Sequence, residues 1–185
     1  EELVESYVIN LKNKNKSPNT ISTAVGLIRS FYKANYGDLK QIATGRPYNI
    51  RPFKVPTVKD IRKMCHIADL EMKTWILTQF ESGLGNIDLL SLGFDNLSSE
   101  YGSIYRQLKS GTNFIHVELR RQKTAEKTHS FFGINAIEAL NQHPKLSTKG
   151  RIFKASVRSI QQKVKDIGIH AKVATKDVPV TPYSL

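Results

Sequence analysis

Cysteine is almost missing from this chain. Cys65 is the only one in 185 residues, so no internal disulfide can form, and no Cys/His spacing fits a zinc site. There is no run of eighteen apolar residues, and Glu1-Glu2-Leu3 does not open a basic stretch followed by an apolar one, so neither a membrane-spanning helix nor a secretory leader is expected. Repeats and low-complexity segments are absent, and a hydrophobic content of 39% argues against disorder. A soluble, cytoplasmic chain follows. Acidic residues are scarce: 16 Asp+Glu stand against 28 Lys+Arg, a formal charge of +12. That excess favours a polyanionic partner, because Lys and Arg that neutralise phosphates gain affinity by releasing counterions. With no basic amphipathic helix carrying a bulky aromatic face, a membrane surface is the weakest candidate, and charge alone leaves DNA and RNA both open.

What is present reads as a series of capped helices and one hairpin. Val4, Tyr7, Val8 and Leu11 fall at helical spacing and end in the basic turn Lys12-Asn13-Lys14-Asn15-Lys16. Ser17-Pro18 reads as an N-cap with proline at the first helical position, opening a helix with Ile21, Ala24, Val25, Ile28, Phe31 and Tyr32 on one side that stops at Asn35-Tyr36-Gly37. Gly37 to Val55 has little periodicity and three breakers, Gly45, Pro47 and Pro52, as in an extended linker or an ordinary surface loop. Thr57, with Asp60 three residues on, caps a further helix, and Met72, Trp75, Ile76 and Phe80 belong to the next. Ser98 to Gly111 is polar and reads as an insertion or a longer strand pair. Asn113 to Leu119 alternates as a strand with Thr128 to Phe132 as its partner, around the basic turn Arg120 to Lys127. Ile134 to Gln142 is helical, and Ser156 caps a last helix predicted to end at Gly168.

The densest signal is Ser82-Gly83-Leu84-Gly85-Asn86-Ile87-Asp88-Leu89-Leu90-Ser91-Leu92, followed by Gly93-Phe94-Asp95-Asn96-Leu97. Its glycines and leucines predict helix, tight turn, helix, then strand, as in many mixed domains. It also resembles the first conserved box of the tyrosine recombinases, the phage-integrase family, which runs small-Gly-Leu-Arg-x-x-Glu/Asp-Leu-Leu-x-Leu. Ser82, Gly83, Leu84, Asp88, Leu89, Leu90 and Leu92 match, while Gly85 occupies the arginine position. Three further likenesses follow in family order: Ser17-Pro18-Asn19-Thr20 with Phe31-Tyr32, the lysine-bearing hairpin, and Thr181-Pro182-Tyr183-Ser184-Leu185 in place of the lead-in Thr-Pro-His-x-Leu-Arg. The substituted second box is similar to that of divergent archaeal integrases.

This resemblance implies an α+β fold, mostly α with a small antiparallel β-sheet. Residues 1–37 would be the end of a helical core-binding domain, 38–55 a linker, and 56–185 an integrase-like catalytic domain incomplete at its C-terminus. The family cleaves duplex DNA without a metal or other cofactor, through a 3′-phosphotyrosyl intermediate, and works as dimers or tetramers on DNA. Lys123 takes the position of the family's catalytic lysine, Tyr183 stands where its histidine is usual, and Gly85 where its first arginine belongs. The second arginine and the nucleophile fall beyond Leu185, so the chain as given should bind DNA and not cut it. Candidate contacts to the DNA backbone are Lys14, Lys16, Arg29, Lys33, Arg51, Lys54, Arg120, Arg121, Lys127 and Arg158. A catalytically dead, integrase-derived regulator is the alternative, and an RNA-binding structural protein is favoured by charge alone.

Overall fold

A computed structural model describes residues 2–40, 42, 44, 53–143 and 146–185. Arg51, and most of the predicted linker with Gly45, Pro47 and Pro52, lie outside the described residues. The chain divides into two compact units, 1–50 and 51–185.

The first unit holds α1 (Glu2–Asn13) and α2 (Pro18–Asn35). The Ser17 hydroxyl accepts the Thr20 N–H at 3.2 Å and Pro18 occupies the first turn, where its missing N–H costs nothing. Val8, Ile21 and Val25 are buried together, with Leu11 and Ile42 packed against them. So small a core supplies little of the stability that an independent domain needs.

The second unit has one core, built around α4 (Leu70–Ser82), which packs against α3 (Val58–Ile67), α7 (Ile134–Asn141), α8 (Val157–His170) and strand β4 (Lys127–Phe132). Surrounded this way, α4 buries polar as well as apolar residues. The hydroxyls of Thr74 and Thr78 are satisfied by the carbonyls of Leu70 and Thr74. The Trp75 ring meets Phe153 edge-on, with centroids 4.9 Å apart. At the start of α3, Thr57 and Asp60 form a reciprocal capping box. Strand β3 (Ile115–Arg120) pairs antiparallel with β4, from Ile115 opposite Phe132 to Arg120 opposite Lys127. The second sheet is minimal: β1 (Leu97–Ser98) pairs with β2 (Gly102–Ser103). A mostly helical chain with two small antiparallel sheets is the α+β class that the sequence predicts.

Three details differ from the sequence expectations. The polar stretch after Leu97 contains a helix, α6 (Ile104–Lys109), besides the short strand pair. Its inward side includes Gln107, whose amide bonds both backbone groups of His116, donating to the carbonyl at 3.0 Å and accepting the N–H at 2.8 Å. A buried glutamine breaks the apolar stripe by which such a helix is recognised. The strand expected from Phe94 onward is only Leu97–Ser98, because Phe94 and Asp95 form a turn with Phe94 fully buried. Finally, α8 runs past Gly168 to His170. Gly168 is there for close approach: a Cβ on it would lie 3.3 Å from Val180 Cβ. The glycine lets the segment leading to Tyr183 pack against the helix.

Candidate functional site

Three separate stretches converge on one groove of about 510 Å³, lined by 85–88, 121–124 and Tyr183. It contains all three positions that the family resemblance nominates for chemistry: Gly85, Lys123 and Tyr183.

The floor is set by the turn between α4 and α5 (Asn86–Ser91). Gly83 closes α4 in the left-handed conformation, φ 63°, which glycine adopts without steric cost. Gly85 differs. Its φ of −66° and ψ of 156° are ordinary extended backbone, and a Cβ there would meet only Asp88 Oδ2, at 3.5 Å. The backbone therefore does not require glycine at 85.

Gln79, buried on α4, joins the floor to the wall. Its Oε1 accepts the Trp75 indole N–H at 2.8 Å, and its Nε2 donates to Asn86 Oδ1 at 2.7 Å and to the Pro182 carbonyl at 2.9 Å. One amide thus fixes both the start of α5 and the short 3₁₀ turn Pro182–Ser184, which holds Tyr183 outward at 74% exposure.

The opposite wall is the turn between β3 and β4. Asp88 Oδ1 accepts the Gln122 N–H at 2.9 Å, and its Oδ2 lies 3.9 Å from Arg121 Nε. Within the turn, the Ala125 N–H donates to the Arg121 carbonyl at 2.8 Å, with Ala125 at φ 58°. Lys123 is exposed at the apex and forms no ion pair among the described residues. The arrangement presents one ammonium, one guanidinium and a phenol around a hollow, with the Asp88 charge partly offset by Arg121. Its ligand chemistry is that of an anion with several oxygen acceptors.

The other basic candidates are distributed differently. Lys14, Lys16, Arg29 and Lys33 belong to the first unit and are exposed; Arg29 and Lys33, four residues apart on α2, flank a shallow hollow where Lys33 lies 3.7 Å from Asp38. Lys54 is half-buried, 3.9 Å from Asp60, and Arg158 is exposed on the first turn of α8. Arg120 donates to the Ala125 carbonyl at 3.4 Å. Lys127 is held by Glu118 at 2.7 Å, so its charge is already partnered. Arg51 lies outside the described residues. Of the described basic residues nominated from sequence, only Arg121 lines the groove with Lys123. Sequence reasoning gave no role to Asn86, Asp88 or Gln122; only Asp88 carried a signal, as the acidic residue of the Gly-Leu box.

A second hollow of about 360 Å³ lies among α3, α4 and α7 and includes Cys65, whose thiol is pushed up to about 11 by burial. The Glu81 carboxylate there is already engaged by Asn135 and the Ala136 N–H. Among the described residues, no group of three His, Cys, Asp or Glu could hold a metal ion, and no helix is long and apolar enough to cross a membrane.

No family model and no curated protein matches the sequence. A solved structure of XerA recombinase does match, with a TM-score of 0.52 and 17% identity over 98% of this chain. The chain has a recombinase-like fold. It spans 64% of the length of that recombinase.

Proposed function

We propose that this chain is a duplex-DNA-binding part of a tyrosine-type site-specific recombinase, and that the groove between Gly85, Lys123 and Tyr183 receives the DNA phosphate at which such enzymes act. The observation that carries this reading is the meeting of three positions, distant in sequence, in one hollow of a recombinase-like fold. The charge of +12 supports the same partner.

In the complete protein, a tyrosine hydroxyl attacks the phosphate, the bond to the 5′ oxygen breaks, and a 3′-phosphotyrosyl link forms. The leaving 5′ oxygen needs a proton. Lys123, at the apex of the turn, is the candidate donor, with Tyr183 as a second polar group across the groove. No guanidinium projects from position 85, where an arginine would hold the non-bridging oxygens by a bidentate pair. That lack favours a second reading: a regulator that binds recombination-type DNA sites without cleaving them.

Titration of duplex DNA binding against salt tests the shared claim. If several phosphates are neutralised, log affinity falls with log salt at roughly −0.9 per phosphate. A flat titration, or stronger binding to structured RNA than to duplex DNA, overturns it. A covalent protein–DNA complex formed by the full-length protein separates recombinase from regulator.

A further inference from the structure

Asn86 lines the groove, is 2% exposed, and its Nδ2 has no hydrogen-bond partner among the described residues. The orientation of that amide is determined by its surroundings. The Trp75 indole can only donate, so the Gln79 atom 2.8 Å from it is the acceptor Oε1. The other end of Gln79 faces the Pro182 carbonyl at 2.9 Å, which can only accept, so that end is the donor Nε2. Nε2 in turn requires an acceptor from Asn86, 2.7 Å away, which turns Oδ1 toward Gln79. Among the described residues, Nδ2 is left as a buried donor without an acceptor, a state that protein interiors seldom tolerate.

We propose that the Asn86 side-chain amide is an anion-binding group of this groove, its Nδ2–H donating to a non-bridging oxygen of a bound phosphate. It would act beside position 85, which contributes no side chain. Arg121 and Lys123, on the facing turn, supply the positive charge, while the two oxygens of Asp88 are turned to Gln122 N–H and Arg121. Trp75 and Gln79 are positioning residues, because their hydrogen bonds keep the Asn86 donor from rotating away. The inference rests on the phosphate-binding reading of the groove, but it concerns an atom which that reading does not use.

The test follows the Asn86 side-chain amide by NMR in the full chain as inorganic phosphate is added, with the resonance assigned by its loss in Asn86→Ala. The expected result is a saturable shift of this amide, and phosphate binding weakened roughly tenfold or more in Asn86→Ala. An unmoved Asn86 amide, or parent-like phosphate affinity in a folded Asn86→Ala, overturns the proposal and assigns the donor to a buried water. If Asn86→Ala does not fold, the amide is assigned from the parent's own spectra and its titration decides alone. Duplex DNA binding that persists with its salt slope while the amide stays still refutes this inference and leaves the DNA reading standing. A flat salt titration refutes the DNA reading, and phosphate still reports on Asn86.

Discussion

The carboxylate of Asp88 accepts the backbone N–H of Gln122 at 2.9 Å, and this bond sets the β3–β4 turn against the α4–α5 turn. Asp88 is 8% exposed but Gln122 is exposed, so on replacement of Asp88 water can take up the freed N–H. Asp88→Ala is expected to cost about 1 kcal/mol. It should also raise the hydrogen-exchange rate of the Gln122 amide, whereas Asp88→Asn, which keeps an acceptor oxygen, should lose less. Calorimetric melting with amide exchange checks both; unchanged Gln122 protection in the alanine variant would show that the bond does not hold the turn.

Gly85→Arg is expected to fold. The position has a negative φ and open space, and Gly85 caps α5 without a side-chain bond, so the loss should stay within about 1 kcal/mol. The new guanidinium has Asp88 Oδ2 close by as an intramolecular partner, which would hold it over the groove. Duplex DNA binding should tighten, and in the full-length protein covalent complex formation should rise on the order of 10²–10³-fold. A variant that melts like the parent, binds DNA no less tightly and still forms no covalent complex would show that position 85 does not stand in for the catalytic arginine.

Lys123→Ala should leave the melting temperature almost unchanged, because its side chain is exposed and unpaired among the described residues. Its expected effect on binding is one phosphate contact fewer, a salt slope shallower by about 0.9. In the full-length protein it should abolish cleavage of an ordinary phosphodiester. A substrate with sulfur at the 5′ bridging position, a leaving group that needs no proton, should restore cleavage in the variant. Failure of that rescue removes Lys123 as the general acid.

Glu118 gives a pH dependence that is independent of any ligand. The Lys127 ammonium, followed by the Ser99 hydroxyl and N–H, lowers its pKa from 4.5 to about 2. Because the folded value is the lower one, the stabilisation is fully present above 4.5 and disappears as pH falls towards 2. The melting advantage of the parent over Glu118→Gln should therefore shrink across that window. A difference that stays constant with pH would show that the pair contributes through packing and not charge.

Local features were legible in the sequence because their causes are local. Ser17 and Pro18 start α2, and Thr57 and Asp60 start α3, through bonds spanning three residues. Gly83 ends α4 because only a residue tolerant of positive φ fits there, and alternation with a basic turn marks the β3–β4 hairpin. Helix α6 was not legible, since Gln107 shares its inward side with Ile104 and Leu108 and finds its partner nine residues away on β3. Nor was the extension of α8 through Gly168, whose lack of a Cβ serves Val180 rather than a helix end.

The groove itself was decided by tertiary structure alone. Sequence could nominate Gly85, Lys123 and Tyr183 one by one, but their meeting depends on Gln79 reaching Pro182, 103 residues away, and on Asp88 reaching Gln122, 34 residues away. A buried amide or carboxylate must find a partner wherever the packed core places one, and no periodicity along the chain encodes that choice. The unpaired Nδ2 of Asn86 has the same origin: Trp75, Gln79 and Pro182 orient that amide only when the fold has brought them together.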